Sequence, residues 1–421
     1  MDTDAQGTQT DLQSLSSDPA ALTQALVRCA SVTPAEGGAI ALLERLARAA
    51  GADVIERLPF GGVDGRPQIE NLFVRFGTGT PHICFAGHTD VVPPGDTAAW
   101  TRPPFSGALA DGYIHGRGSV DMKSGVACFV TAALDWARQR SAHVEAGAAA
   151  ADGGSVSLLI TGDEEGPAVD GTQPVLDWMA ANGHTPTCCI VGEPTSIATL
   201  GDEIKIGRRG SLTGRLTVHG RQGHVAYQHA AHNPITDLAA ILLALNAPLD
   251  DGSAHFPPSN LEVTNVAVDN EATNVIPARA QAIFNVRHND HHTREGLEAL
   301  LRARVEDALA ARPAGAGILP DGAPRYELSF SSNANVFLTA PGPLTDLVGD
   351  AIAAVTGQRP ALVTSGGTSD ARFVTHHCPV VECGLLNSGM HAIDEKVAIG
   401  NLAPLTQIYR GIIDRALADG W

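Results

Sequence analysis

Basic residues are scarce. Lys and Arg together number 28 against 46 Asp and Glu, a formal charge of −18. A polyanion of this kind repels nucleic acid, which is set aside as a partner. An anionic small substrate remains compatible, provided arginines are gathered locally to meet it. Aromatics make up only 5% of the chain. No run of 18 apolar residues occurs, so no membrane-spanning helix is expected. The seven cysteines are odd in number and contain no C-x-x-C spacing. Cys84, Cys188 and Cys189 lie in apolar runs, which reads as reduced, buried thiols in a cytoplasmic protein. The N-terminus lacks both a basic segment and an apolar segment, so a signal peptide is not expected. Residues 1–17 read as a disordered tail.

What is present points to an α/β enzyme. The 421 residues are too many for one ordinary domain, and 44% are hydrophobic. Short apolar runs alternate with helical patterns. Strands are expected at 71–76, 82–87, 155–160 and 188–193. Helices are expected after Asp18-Pro19, over 36–50 and over 122–140, the last with Val126, Phe129, Val130, Ala133 and Leu134 on one face. An Ala/Gly-rich stretch, 141–154, reads as an exposed loop. After Gly210 the pattern becomes β-α-β-β-α: 214–220, a helix 234–245, 261–268, 278–288 and a helix 293–312. Strand–helix alternation resumes at about 334. The expected organisation is therefore a mostly parallel-sheet catalytic domain, 18–209 and 334–421, interrupted by an inserted α+β domain, 210–333.

Five clusters carry chemistry. In GHTDVVPPG (87–95), His88 and Asp90 are two apart in an extended segment and face one way. Asp90 is expected to accept from one ring nitrogen of His88 while the other faces a metal. Asp121, in GRGSVDMKSG (116–125), stands at a helix start, where it caps the helix or bridges two metals with its two oxygens. TGDEEG (161–166) sets Asp163, Glu164 and Glu165 in a row after an apolar strand. Such a row is a solvated turn, or one carboxylate binds metal while its neighbour acts as general base. Glu193 follows the strand 188–191 in VGEPTS (191–196), and His391 lies in GLLNSGMHAIDE (384–395). Each cluster alone has an ordinary structural explanation. Together, two histidines and three ligating carboxylates make two sites of three ligands each, one carboxylate being shared. That set suits a pair of metal ions with room left for water.

With these motifs in this order, the chain resembles the dinuclear zinc family of acylases, carboxypeptidases and amino-acid deacylases over nearly its whole length. The resemblance implies a sheet-based catalytic domain and a dimerisation domain with a four-stranded sheet and two helices. It implies two zinc ions per subunit, with cobalt able to substitute. His88, Asp121 and Glu193 would hold one ion, and Asp121, Glu165 and His391 the other. Glu164 would be the general base, Asp90 the partner of His88, and Asp121-Met122 a cis peptide. Further motifs look like the succinyl-diaminopimelate desuccinylase branch: IGRRGSLTG (206–214), GRQGHVAYQHAAHNPI (220–235), TNVIP (273–277), FNVRH (284–288) and SGGTSDARF (365–373). They imply substrate contacts from Arg208, Ser211, Tyr227, Arg287, Gly367, Thr368 and Asn387. His224 and Asn274 would reach the neighbouring subunit's site in a homodimer, His224 as a donor to the oxyanion. Gln228 departs from the proline usual at that point of the branch, and segment 330–339 matches poorly, so its serines carry no assignment.

The resemblance implies hydrolysis of an N-succinyl amino acid amide, with N-succinyl-LL-2,6-diaminopimelate as the substrate. Alternatives with the same scaffold are another acyl-amino-acid deacylase such as an acetylornithine deacetylase, a zinc aminopeptidase, and a non-catalytic binding protein.

Overall fold

The apolar runs His82–His88 and Ser155–Thr161 are buried at every residue, as is Cys188–Val191. Burial of both strand faces is the mark of a sheet covered by helices on two sides. The computed structural model describes residues 12–145, 153–312, 322 and 324–418. They form two compact units, one of 12–206, 339–363 and 369–418, the other of 207–338 with 364–368, each counted over the described residues.

The first unit holds an eight-stranded mixed sheet in the order Val54–Gly61, Gln68–Phe76, Ser155–Thr161, His82–His88, Cys188–Val191, Val380–Glu382, Glu203–Lys205, Ala361–Val363. The central joins, from Ser155–Thr161 through Val380–Glu382, are parallel. Both joins of Gln68–Phe76 are antiparallel. Helices Lys123–Glu145 and Leu402–Ala418 pack together against this sheet. Beneath its centre Phe85 stacks on Phe129 at 5.7 Å and meets Tyr409 edge-on at 5.3 Å. The Tyr409 hydroxyl donates to the Cys383 carbonyl at 2.6 Å, so its polar end is satisfied. Burying each ring contributes ~1.5–3 kcal/mol.

The second unit is a four-stranded antiparallel sheet, ordered Asn260–Ala267, Arg279–His288, Gly210–His219, Tyr326–Ala334. Helices Pro234–Leu245 and Arg294–Ala310 pack together, with the first also against the sheet. Leu297, Leu301, Val305 and Leu309 recur at four-residue spacing and are all buried. Both helices are capped as their sequences suggest, Asn233 accepting from Ile235 N–H and Thr293 from Gly296 N–H.

Several expectations need correction. Residues 12–17, read as part of a disordered tail, are helical and run into helix Pro19–Arg28, where Asp18 accepts from Ala20 N–H at 2.8 Å. Ser16 is buried there and takes a hydrogen bond from Arg138 at 3.0 Å, a partner far along the chain. Residues 1–11 lie outside the described residues. The helix read as ending near Arg140 continues to Glu145, so the expected loop begins later; most of the remainder of 141–154 lies outside the described residues. Strand Val54–Gly61 was not anticipated, because its run VIERLPFG carries charges and a proline; it is an edge strand, where both are tolerated. The unassigned segment near 330 belongs to edge strand Tyr326–Ala334. The unit boundaries also differ from 209/210 and 333/334. Phe337–Leu338 pairs with Gly207–Arg208, and Arg208 donates to the Ser365 carbonyl at 3.2 Å, drawing these segments into the second unit.

Candidate metal centre

Parallel strands deliver their C-terminal ends to one place, and the loops leaving those ends are where an open α/β sheet builds sites. Strand His82–His88 ends in His88, Ser155–Thr161 is followed by Glu164 and Glu165, and Cys188–Val191 by Glu193. Asp121 comes from the turn before helix Lys123–Glu145, through an Asp121-Met122 peptide that is cis. Close approach of this turn to the Glu193 loop depends on Gly125, where any Cβ would collide with the Gly192 carbonyl. His391 stands in the left-handed region, φ 59°, in the loop before strand Lys396–Ala398.

The side chains converge. His88 Nε2 lies 3.2 Å from Asp121 Oδ1 and 3.8 Å from Glu193 Oε1. His391 Nε2 lies 3.2 Å from Asp121 Oδ2 and 2.9 Å from Glu165 Oε1. Asp121 thus presents one oxygen to each imidazole. Ligand atoms of His88, Glu164 and Glu193 lie within 4.8 Å of one another, as do those of His88, Asp121 and Glu165. Glu164, read as the base, is therefore itself within reach of a metal position.

Asp90 is near His88 but is used differently from the expectation. His88 Nδ1 is 2.9 Å from the main-chain carbonyl of Asp90, while the carboxylate is 3.6 Å away, beyond a hydrogen bond. That carboxylate instead accepts the N–H groups of Glu164 at 3.3 Å and Glu165 at 3.0 Å. A main-chain oxygen fixes the histidine tautomer as well as a carboxylate does. Asp90 itself steadies the loop carrying the paired glutamates.

Charge in the centre is unbalanced. Burial lifts Glu164 well above the ordinary carboxylate range, with Asp370, Glu165 and Asp121 pushing the same way against His88. Glu193 is raised well above it too, by burial and then by Asp121. Burial disfavours a charged His88, but Asp121 and Glu193 outweigh it and raise its pKa well above normal. His391, bonded to Asp121 and Glu165, rises to about 10. Burial lifts Asp90 to about 6. Asp121 is the exception: its bonds to both imidazoles overcome burial and hold it below the usual range. Asp90, Glu164, Glu193 and the two imidazoles favour their protonated forms because buried carboxylates crowd a poorly solvated space. Divalent cations would replace those protons, and the oxygen and nitrogen donors suit them.

The other sequence-derived residues fall in two groups within the second unit, apart from Asn387. Ser211 and Arg287 face each other across the Gly210–His219/Arg279–His288 pair, and Asn285 bonds Ser211 Oγ at 3.2 Å. Arg208 joins the segment carrying Gly367 and Thr368 through Ser365, and a side chain at Gly366 would collide with its guanidinium. His224, Tyr227 and Asn274 make the second group. His224 pairs with Val275, Val225 N–H donates to the Asn274 carbonyl at 3.1 Å, and the His224 and Tyr227 rings are 5.6 Å apart. All three are exposed. Asn387, in the first unit, donates its N–H to the Ser196 carbonyl at 3.0 Å on the loop leading to His391.

Sequence reading missed Asp370, Arg117 and Glu395. Asp370 is buried, accepts from Thr172 Oγ1 at 2.6 Å and bears electrostatically on Glu164. Its only signal was an acid in a Gly/Ser/Thr-rich segment. Glu395 lay inside the motif already quoted for His391.

The peptidase family M20/M25/M40 model matches residues 84–415. The chain belongs to this family. It is 53% identical over 410 residues to a succinyl-diaminopimelate desuccinylase of Rhodopseudomonas palustris (strain BisB18), covering 97% of this chain and 100% of that one. A succinyl-diaminopimelate desuccinylase of Methylorubrum extorquens is 53% identical over 399 residues, 94% and 98% of the two chains. Among solved structures, an aminopeptidase PepT from Bacillus cereus superposes with TM-score 0.72 at 20% identity, over 93% and 96% of the chains. A dinuclear metal binding peptidase of the M20 family from Bacillus subtilis does so with TM-score 0.66 at 16% identity, over 96% and 99%. These structural likenesses establish the fold. The chain is thus an M20 metallohydrolase with a divalent-metal centre, for which His88, Asp121, Glu165, Glu193 and His391 are the candidate ligands, with Glu164 beside them. Among the described residues no helix is long and apolar enough to cross a membrane.

Proposed function

We propose that the chain hydrolyses the succinyl amide of N-succinyl-LL-2,6-diaminopimelate, giving succinate and LL-2,6-diaminopimelate for lysine and cell-wall synthesis. The observation that carries this reading is identity above 50% to desuccinylases across nearly the full length, joined to a convergent ligand set. In this reading the centre would take two zinc ions, with cobalt able to replace them. His88, Asp121 and Glu193 would hold one; Asp121, Glu165 and His391 would hold the other. When bound, the ions polarise the amide carbonyl and lower the pKa of water towards neutrality.

The chain's own groups then do the following. Glu164 accepts the proton of the attacking water and passes it to the leaving amine. Its side chain stands within reach of His88 and Glu193, beside the reacting centre, where a group can both take and return a proton. Asp90 keeps Glu164 and Glu165 in place through their N–H groups. Arg208 and Arg287 bind substrate carboxylates, with Ser211, Tyr227, Gly367, Thr368 and Asn387 shaping the pocket. His224 donates to the developing oxyanion and, with Asn274, serves the site of a partner subunit in a cytoplasmic homodimer.

The test is amine release from N-succinyl-LL-2,6-diaminopimelate beside N-acetylornithine, with metal content measured on the same preparation. Preferential hydrolysis of the succinyl substrate supports the assignment. Preference for acetylornithine, or peptide hydrolysis with no regard for a succinyl group, overturns it.

A further inference from the structure

Two loops far apart in sequence supply the shared carboxylate and the outer imidazole of the centre, and one buried ion pair ties them together. The loops are 116–121, which ends in Asp121, and 391–395, which begins with His391. Strand Lys396–Ala398 pairs with Tyr113–His115, bringing the loops side by side, and Gly116 N–H donates to the Glu395 carbonyl at 2.9 Å.

The Glu395 side chain is wholly buried, and Arg117 is 3% exposed. Oε1 of Glu395 accepts Val120 N–H at 2.7 Å and Asp121 N–H at 3.3 Å. Oε2 accepts Gly118 N–H at 3.1 Å and Arg117 Nη1 at 2.7 Å. The carboxylate thus binds three main-chain N–H groups in the loop ending in Asp121. Arg117 reaches the other way. Its Nη2 donates to the His391 carbonyl at 3.2 Å and its Nη1 to the Ala392 carbonyl at 3.2 Å. The guanidinium also lies over the Trp100 ring, 5.3 Å from its centroid, which limits its freedom. Neither charged group points at the centre. Each holds the backbone of a residue that does.

We propose that Arg117 and Glu395 are positioning residues that set the spacing of Asp121 and His391, and through it the affinity of the metal position these two share. The inference rests on the metal-centre reading above. Its physical basis is the steepness of coordination with distance. Groups that orient ligands change metal affinity by roughly 10–100-fold when lost. Because His391 is half exposed, with its backbone in the left-handed region, it has little else to fix it, whereas His88 is buried in a strand. The effect should therefore fall most heavily on the position that His391 completes; the other also uses Asp121 but keeps His88 and Glu193 in place, and should weaken less.

The experiment is a titration of the metal-free full-length chain with cobalt chloride, followed by the visible absorption of bound Co2+. The parent should bind two equivalents. Failure of the parent to do so would overturn the metal-centre reading itself, and this inference with it. Glu395→Gln keeps the side-chain shape but turns an N–H group towards N–H donors. It should bind the second equivalent ~10–100-fold more weakly than the parent, with an altered absorption spectrum for that ion, and the first with a clearly smaller loss, because Asp121 serves both. Arg117→Lys keeps the charge but cannot reach Glu395 and both carbonyls at once; the same split is expected, and it decides the matter should Glu395→Gln fail to fold. A pair that merely supports the fold would lower both affinities by the same factor or neither. Either result in a folded variant overturns the inference.

Discussion

Replacing Glu164 with Gln separates a base from a ligand. The amide preserves side-chain volume, and the main-chain N–H bond to Asp90 is untouched, so the loop should stay in place. What is lost is the ability to take a proton. General base catalysis is worth at least ~100-fold, ~2.7 kcal/mol in the activation barrier, so kcat should fall by at least that much. Metal content should remain at two per chain. A second effect has the opposite sense. Burial and then its acidic neighbours raise the pKa of Glu164 in the metal-free fold, so the native state binds a proton that the unfolded chain releases above about pH 4.3. Stability attributable to this group therefore declines as pH rises towards the raised value, at ~1.4 kcal/mol per pH unit of that interval. The Gln variant lacks this penalty and should unfold at higher denaturant concentration than the parent when both are metal-free at pH 8. The assays are steady-state kinetics, metal analysis and urea unfolding. Because Glu164 stands within ligand distance of His88 and Glu193, the refuting result is specific: loss of one metal, with kcat recovering in excess metal, would make Glu164 a ligand.

Five other outcomes are expected. Glu165→Gln should weaken metal binding at the position shared with His391, measured by metal analysis after dialysis; unchanged metal content with lost turnover would exchange the roles of the two glutamates. Chelation should abolish activity and zinc or cobalt restore it, with full activity in verified metal-free protein as the contrary result. Metal should also stabilise the chain more at pH 8 than at pH 6.5: His391, with a pKa of about 10, and the raised Glu164 and Glu193 hold protons in the metal-free fold, and that stability declines as pH rises from their unfolded towards their folded values. Equal thermal shifts on metal addition at the two pH values would count against this. Arg208→Ala should harm a succinylated substrate far more than a neutral acyl analogue, and an equal loss on both would indicate a structural role. Refolding Glu164→Gln with His224→Ala in equal amounts should restore about a quarter of parental activity, since about half the dimers are mixed and each has one sound site. No recovery with mixed dimers demonstrably present would mean that His224 serves its own chain.

Much of the centre was readable because metal chemistry demands particular residue types. His88, Asp121, Glu165, Glu193 and His391 each sit beside a glycine-containing turn or at the end of an apolar run, and both signals are local. The role of Asp90 was misread for the same reason. Spacing shows that residues 88 and 90 share a side, but only the folded loop determines whether a carboxylate or a carbonyl meets the imidazole. Arg117 and Glu395 lie inside the motifs quoted for Asp121 and His391, but nothing local marks their roles, since their partners lie about 275 residues away. The helix at 12–17 escaped notice because its polar sequence gives no amphipathic stripe, and its order comes from contact with Arg138.

By itself, the sequence determined the α/β class, the central strands, the caps at Asp18, Asn233 and Thr293 and the candidate metal-ligating side chains. These depend on hydrophobic period, cap chemistry and donor type, all of which act over a few residues. Tertiary structure decided the rest: which strand ends lie together, how Asp121 divides its oxygens between His88 and His391, and where 364–368 belongs. Those outcomes depend on strand register and on hydrogen bonds closed between distant segments. A linear pattern does not encode them, because each is fixed only when the two surfaces have been brought within about 3 Å of each other.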